Sequence, residues 1–217
     1  MAKHIRSVIS IIAATIISSV ASIGHALEIT VSDKNGKPIK DAVVYLVQKN
    51  ESIAQTRSPL IVDQVDKEFT PYMTAIQAGT KIDFPNNDKI RHQVYSFSET
   101  KRFEIPLYSG TPSDPVLFEK PGIVALGCNI HDWMTAYIFV ADSPYFAVTD
   151  ANGRAKISNL TTGQHDIEAW HPTAKGDAKE TRQRASSTTA NLTFTLATKP
   201  VWRAWRAPNN ANTGGYR

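Results

Sequence analysis

Beyond residue 26, no stretch of this chain repeats apolar residues at the 3.6-residue spacing of a helix. Apolar residues come instead in short runs, each closed by glycine, proline, asparagine or aspartate. Leu27-Glu28-Ile29-Thr30-Val31 alternates with a period of two. It leads into Asp33-Lys34-Asn35-Gly36-Lys37-Pro38, a turn centred on Asn-Gly. Residues 41–47, 81–84, 92–97, 122–126, 136–140, 154–157, 164–170 and 190–196 read as further strands. Many short strands bury their apolar side chains by stacking sheets or closing a barrel, so the expected fold class is all-β. Residues 98–115 are expected to be mostly loop, with a short strand at 102–105, and residues 172–187 an exposed polar loop.

The first 26 residues follow a different rule. Lys3 and Arg6 precede an apolar stretch, residues 8–23, interrupted by serine and threonine, and Gly24-His25-Ala26 follows as a small–x–small site. This is the pattern of a cleaved secretory signal rather than a membrane span, with an uncleaved anchor as the other reading. The expected location is periplasmic, with no stable membrane insertion after cleavage. Without Lys3 and Arg6 the formal charge falls from +4 to +2, too little to argue for a nucleic-acid partner. The mature chain has one cysteine and therefore no internal disulfide. An odd thiol in an oxidising compartment is an inert buried group, an intermolecular bridge or a metal ligand.

That cysteine sits in Gly127-Cys128-Asn129-Ile130-His131-Asp132-Trp133-Met134, between the apolar runs 122–126 and 136–140. Thiolate, imidazole and thioether are thus spaced three residues apart on one short loop. A mononuclear blue-copper centre uses two histidines, one cysteine and a weak axial methionine. The loop supplies three of these, Cys128, His131 and Met134, and His92 is the candidate for the fourth. Taken singly, Met134 reads as core packing and His92 as a surface imidazole. Taken together at this spacing, the four favour copper ligation over an inert thiol.

With these segments located, the chain resembles the cupredoxins, the blue-copper electron carriers. Ile82-Asp83-Phe84-Pro85-Asn86-Asn87-Asp88, followed by His92-Gln93-Val94-Tyr95, resembles their first-ligand region. Residues 121–128 resemble the strand that delivers the thiolate, and the Cys-x2-His-x2-Met spacing is similar to that of amicyanin. The resemblance spans residues 60–141 and extends to exported proteins labelled methylamine-utilisation proteins. It implies a Greek-key cupredoxin sandwich, one type 1 copper, and a role carrying single electrons between redox partners such as a periplasmic dehydrogenase or a cytochrome. One departure is Gln93, where many family members place an asparagine that braces the ligand loops.

A second resemblance concerns the flanks. Residues 29–44 look like the opening of a carboxypeptidase-regulatory-like β-sandwich. Thr149-Asp150-Ala151-Asn152-Gly153-Arg154 and Leu160-Thr161-Thr162-Gly163 look like its continuation. The implied organisation is a signal peptide at 1–26, a regulatory-like sandwich from 27–50 plus 143–197, a cupredoxin domain at 51–142 inserted in or packed with it, and a flexible tail at 198–217. Two sequential domains behind a stray N-terminal hairpin is the alternative.

Catalysis is not expected. Copper enzymes of this family add histidines for a second centre, whereas Asn129 follows Cys128 here, and a binuclear purple site needs two cysteines. A protein that buffers or delivers copper is the alternative function, though no exposed Met- or His-rich run supports it. A structural or adhesive sandwich with a vestigial copper fold is the third reading. His165 and His171 read as imidazoles bonded to backbone or solvent rather than as a second metal site. Trp133 reads either as a cap on the apolar rim of the site or as a docking surface beside His131. In the tail, Trp202, Arg203, Trp205 and Arg206 suit a membrane surface or an acidic partner less well than solvent.

Overall fold

The computed structural model describes residues 26–47, 59–112, 114–176 and 181–199. The expected signal peptide and nearly all of the expected tail lie outside these residues. The described residues contain no α-helix and form an all-β structure, as the alternation of short runs predicts.

Strands β1 (Leu27–Asp33) and β2 (Val43–Leu46) come first. Then follow β3 (Leu60–Ile61), β4 (Asp63–Val65), β5 (Glu68–Thr70), β6 (Met73–Gln77) and β7 (Thr80–Asp83). Next are β8 (His92–Ser98), β9 (Lys101–Tyr108), β10 (Val116–Phe118), β11 (Gly122–Gly127) and β12 (Thr135–Ala141). The last are β13 (Phe146–Val148), β14 (Arg154–Ile157), β15 (Gln164–Trp170), β16 (Gln183–Ser186) and β17 (Asn191–Leu196).

Strands β3–β12 pair among themselves, in a five-stranded sheet β6-β12-β11-β8-β9, a three-stranded sheet β10-β7-β3 and the hairpin β4-β5. The larger two face each other across one apolar layer. Ile82 and Phe118 enter it from one sheet, Val94, Val124, Leu126 and Ile138 from the other. Each is 2% exposed or less, so each burial stabilises the fold by about 1.5–3 kcal/mol.

Strands β1 and β2 pair instead with strands late in the chain, in the sheets β14-β1-β17 and β13-β2-β15-β16. A second core lies between these sheets, built on Leu27, Ile29, Val31, Val44, Ile157, Ile167 and Phe194. The turn before β14 needs Gly153: its φ is +69°, and a Cβ there would lie 2.3 Å from the carbonyl oxygen of Val31.

Strand β12 explains an oddity of the sequence. Its run Ala136-Tyr137-Ile138-Phe139-Val140 is apolar on both faces, where a half-buried strand would alternate. Ala136, Ile138 and Val140 fill the first core. Phe139 and Ala141 face the other way, into a third cluster with Val43 and Met73, against which Tyr45 and Trp170 pack. Both faces are covered, so both are apolar.

Two segments differ from expectation. Residues 101–108 form one continuous edge strand, where the sequence pointed to loop and a short strand. Pro106 interrupts the pattern, but an edge strand tolerates a residue without an N–H. Strand β16 lies within the expected loop 172–187. Its sequence is polar, and Ala185 alone of its four residues is buried. Arg184 lies opposite Asp166 in β15, with Nε 3.5 Å from Oδ1, so a cross-strand charge pair accompanies the backbone ladder.

Candidate metal centre

The strand order brings three strand ends to one edge of the first sandwich. Strand β8 begins at His92, β11 ends at Gly127 just before Cys128, and β12 begins at Thr135 just after Met134. The linking loop is two successive turns. The His131 N–H donates to the carbonyl of Cys128 at 3.4 Å, and the Met134 N–H to that of His131 at 2.9 Å. Cys128, His131 and Met134 thus stand at the ends of these two turns, with two residues between each.

Gly127 makes room beside this loop. It pairs with Tyr95 of β8. The Tyr95 ring lies where a Cβ would be, with Cζ only 2.6 Å from that point.

The structure brings together His92, Cys128 and His131. Their donor atoms lie within 4.8 Å of one another. Cys128 Sγ is 3.8 Å from Nδ1 of His92 and 4.0 Å from Nδ1 of His131. Donors bound at about 2.0–2.3 Å around a trigonal ion stand roughly 3.5–4 Å apart, so the three fit one small thiophilic cation. His92 and Cys128 are buried, and His131 is the partly open member. Met134 is buried at 1% exposure and shares the apolar cluster of Cys128. Among the described residues this is the group of His, Cys, Asp and Glu side chains placed to hold a metal.

Protonation favours ligation. Nε2 of His92 lies 2.8 Å from Oδ2 of Asp88. Burial of Asp88 works against ionisation. The hydrogen bond with His92 and the backbone amides of Lys67 and Lys89 outweigh it and hold the carboxyl below its usual range. An ionised carboxylate only accepts, so Nε2 carries the proton and Nδ1 turns a lone pair toward Cys128. Burial is the main cause that lowers the His131 pKa, with the Lys67 positive charge adding to it, so this imidazole is neutral at neutral pH.

Asp88 is the residue beside the site that the sequence left without a role, placed only at the end of the stretch resembling a first-ligand region. Its signal was the i, i+4 spacing to His92, which becomes meaningful only once His92 is known to be a ligand candidate. Gln93, the departure noted in the sequence, points elsewhere: its Nε2 donates to Glu104 Oε1 at 2.6 Å. Asn86 ties the segment before His92 to the end of β9: its Nδ2 donates to the carbonyls of Ile90 and Tyr108 at 3.0 and 2.8 Å. Trp133 packs on the core, its ring centroid 5.1 Å from that of His131, and its buried Nε1 has no hydrogen-bond partner. The other imidazoles among the described residues bond locally, His165 Nε2 with the carbonyl of Thr161 at 2.9 Å and His171 Nδ1 with Thr173 Oγ1 at 2.7 Å.

Two facing sheets now close over a buried thiol at the end of one strand, and two imidazoles from separate segments meet it there. The fold of this part of the chain is cupredoxin-like. No protein-family profile matches the chain, and no curated protein matches it. Among solved structures, a novel purple cupredoxin from Nitrosopumilus maritimus matches 38% of this chain and 99% of its own, at 19% identity and a TM-score of 0.34. A Cu-containing nitrite reductase (NirK) from Thermus scotoductus SA-01 matches 44% of this chain at 25% identity and a TM-score of 0.37. That match spans 26% of the reductase. A reduced amicyanin mutant matches 45% of this chain and 98% of its own, at 12% identity and a TM-score of 0.35.

Proposed function

We propose that this protein is an exported, non-enzymatic carrier of single electrons with one type 1 copper, held by His92, Cys128, His131 and Met134. The observation that carries the reading is the donor triad: a buried thiol within 4.0 Å of two imidazole nitrogens, one of them oriented by a carboxylate. Copper bound there would supply a Cu(II)/Cu(I) couple. Cys128 would give the strong thiolate bond, the two histidines the imidazole donors suited to Cu(II), and Met134 the weak axial donor. Ligands seated at strand ends change position little, which keeps reorganisation small when an electron arrives or leaves. His131 is the more exposed histidine and faces the partner, a periplasmic dehydrogenase or cytochrome.

In this proposal the copper domain is an insertion. Strands on either side of it, β1 and β2 before and β13–β17 after, complete one another's sheets, and an exposed loop accepts an inserted domain without losing its own core. Among the described residues no helix is long and apolar enough to cross a membrane.

Reconstitution tests the reading. Purified protein loaded with Cu(II) is expected to develop an intense thiolate-to-copper absorption in the orange-red and to exchange electrons rapidly with a small redox protein. Stoichiometric copper in a colourless protein would overturn it. A deletion strain sensitive to copper yet normal in respiration would assign the site to copper handling instead.

A further inference from the structure

Asp88 is gripped more firmly than an ordinary loop carboxylate. Its side chain is 11% exposed. Oδ2 accepts from the Lys67 N–H at 2.8 Å and Oδ1 from the Lys89 N–H at 2.7 Å. Its own N–H donates to Asn86 Oδ1 at 3.0 Å, and Asn86 is tied to Ile90, Tyr108 and Gly110. Oδ2 is then the atom that meets His92 Nε2 at 2.8 Å.

The grip from Lys67 comes from an unusual place. Lys67 stands at the tip of the β4–β5 hairpin, where Asp66 and Lys67 have φ of 52° and 62°. A two-residue hairpin turn of this hand prefers Asn-Gly, and here neither residue is glycine. The chain holds two residues in a disfavoured backbone region, and the second delivers its N–H to Asp88.

We infer that Asp88, anchored by the tip of the β4–β5 hairpin, is the positioning residue that aims His92 Nδ1 at the metal and biases the centre toward its more highly charged oxidation state. The redox half of this inference rests on the copper reading above; the positioning half needs only a bound metal. A carboxylate on the far nitrogen fixes the tautomer and ring orientation and makes the near nitrogen a stronger donor. A full negative charge one imidazole away also favours Cu(II) over Cu(I). Asp88 touches His92 and acts through it.

The test compares Asp88→Ala and Asp88→Asn with the wild-type chain. Cu(I), Cu(II) and Zn(II) affinities are measured by chelator competition, the reduction potential by titration, and folding by melting curves of the metal-free proteins. Asp88→Ala is expected to lose roughly 10–100-fold in affinity for all three ions, the usual effect of removing such a partner. Asp88→Asn keeps an oxygen that accepts from Nε2 but lacks the charge. Its Cu(I) affinity is expected to stay near wild type while its Cu(II) affinity falls about tenfold, a rise of about 59 mV in potential. Melting points that fall while affinities and potential stay at wild-type values would overturn the inference, since that is the mark of a purely structural residue. If Asp88→Ala does not fold, the potential of Asp88→Asn decides. A wild-type protein that binds copper without the thiolate band would sink the copper reading, and the Zn(II) affinities would then decide the positioning role.

Discussion

Cys128 Sγ lies 3.8 Å from Nδ1 of His92, although the two residues are 36 positions apart. His92 opens β8 and Cys128 follows β11, and these strands are neighbours in the five-stranded sheet. Replacing Cys128 with serine removes the one soft, strongly coupled donor. The expected outcome is loss of the intense absorption and of rapid electron exchange, with the fold retained at a cost of roughly 1–3 kcal/mol. Absorption spectra and urea melts check both halves. An unchanged spectrum would remove Cys128 from the ligand set.

Met134→Leu is expected to behave differently. Leucine fills nearly the same volume in the core beside Cys128, so stability should change by less than about 1.5 kcal/mol. The three strong donors remain, and the colour should persist. Loss of the weak axial donor leaves Cu(II) less stabilised, so the reduction potential should rise in a redox titration. Abolished copper binding in this variant would contradict an axial role.

Gly127→Ala tests the packing behind the cysteine. The new Cβ would meet the Tyr95 ring at 2.6 Å, so the ring must move or β11 must shift. A destabilisation of about 1–3 kcal/mol is expected, as for other overpacked sites. Because Gly127 adjoins Cys128, the thiolate band should also shift. A companion Tyr95→Ala change should restore both readouts; failure to do so would place the strain elsewhere.

His171 gives the fold a pH dependence separate from the metal. It is 9% exposed, and burial pushes its pKa down to about 4. The unfolded chain takes up a proton near the ordinary value of about 6.5, while the folded chain does so only near 4. The unfolded state therefore binds more protons within that window. Stability is complete above it and falls as the pH drops from about 6.5 to 4, by at most about 3 kcal/mol. Melting curves of metal-free protein across this range, compared with His171→Gln, measure the contribution. Equal pH slopes in the two proteins would show that His171 stays protonatable in the fold.

The all-β class was legible because period-two alternation and turn residues are local properties, written in consecutive residues such as Leu27 to Val31. The three donors of the 127–134 loop were legible for the same reason, since their spacing and the turn hydrogen bonds both act within a few residues. His92 could be named only as the histidine completing a donor set that the loop leaves one short, because nothing local to it marks a ligand. Its meeting with Cys128 depends on β8 lying beside β11, a long-range pairing. Asp88 was hidden one step further: its role needs His92 to be in place and Lys67, 21 positions upstream, to hold it. The edge strands β9 and β16 were under-read because their outward residues are polar and their ladders are backbone bonds, which carry no side-chain pattern. The apolar faces of β12 were visible as a continuous run, but only the tertiary structure decided which core each face fills, since a strand's own residues specify burial and not the partner that provides it.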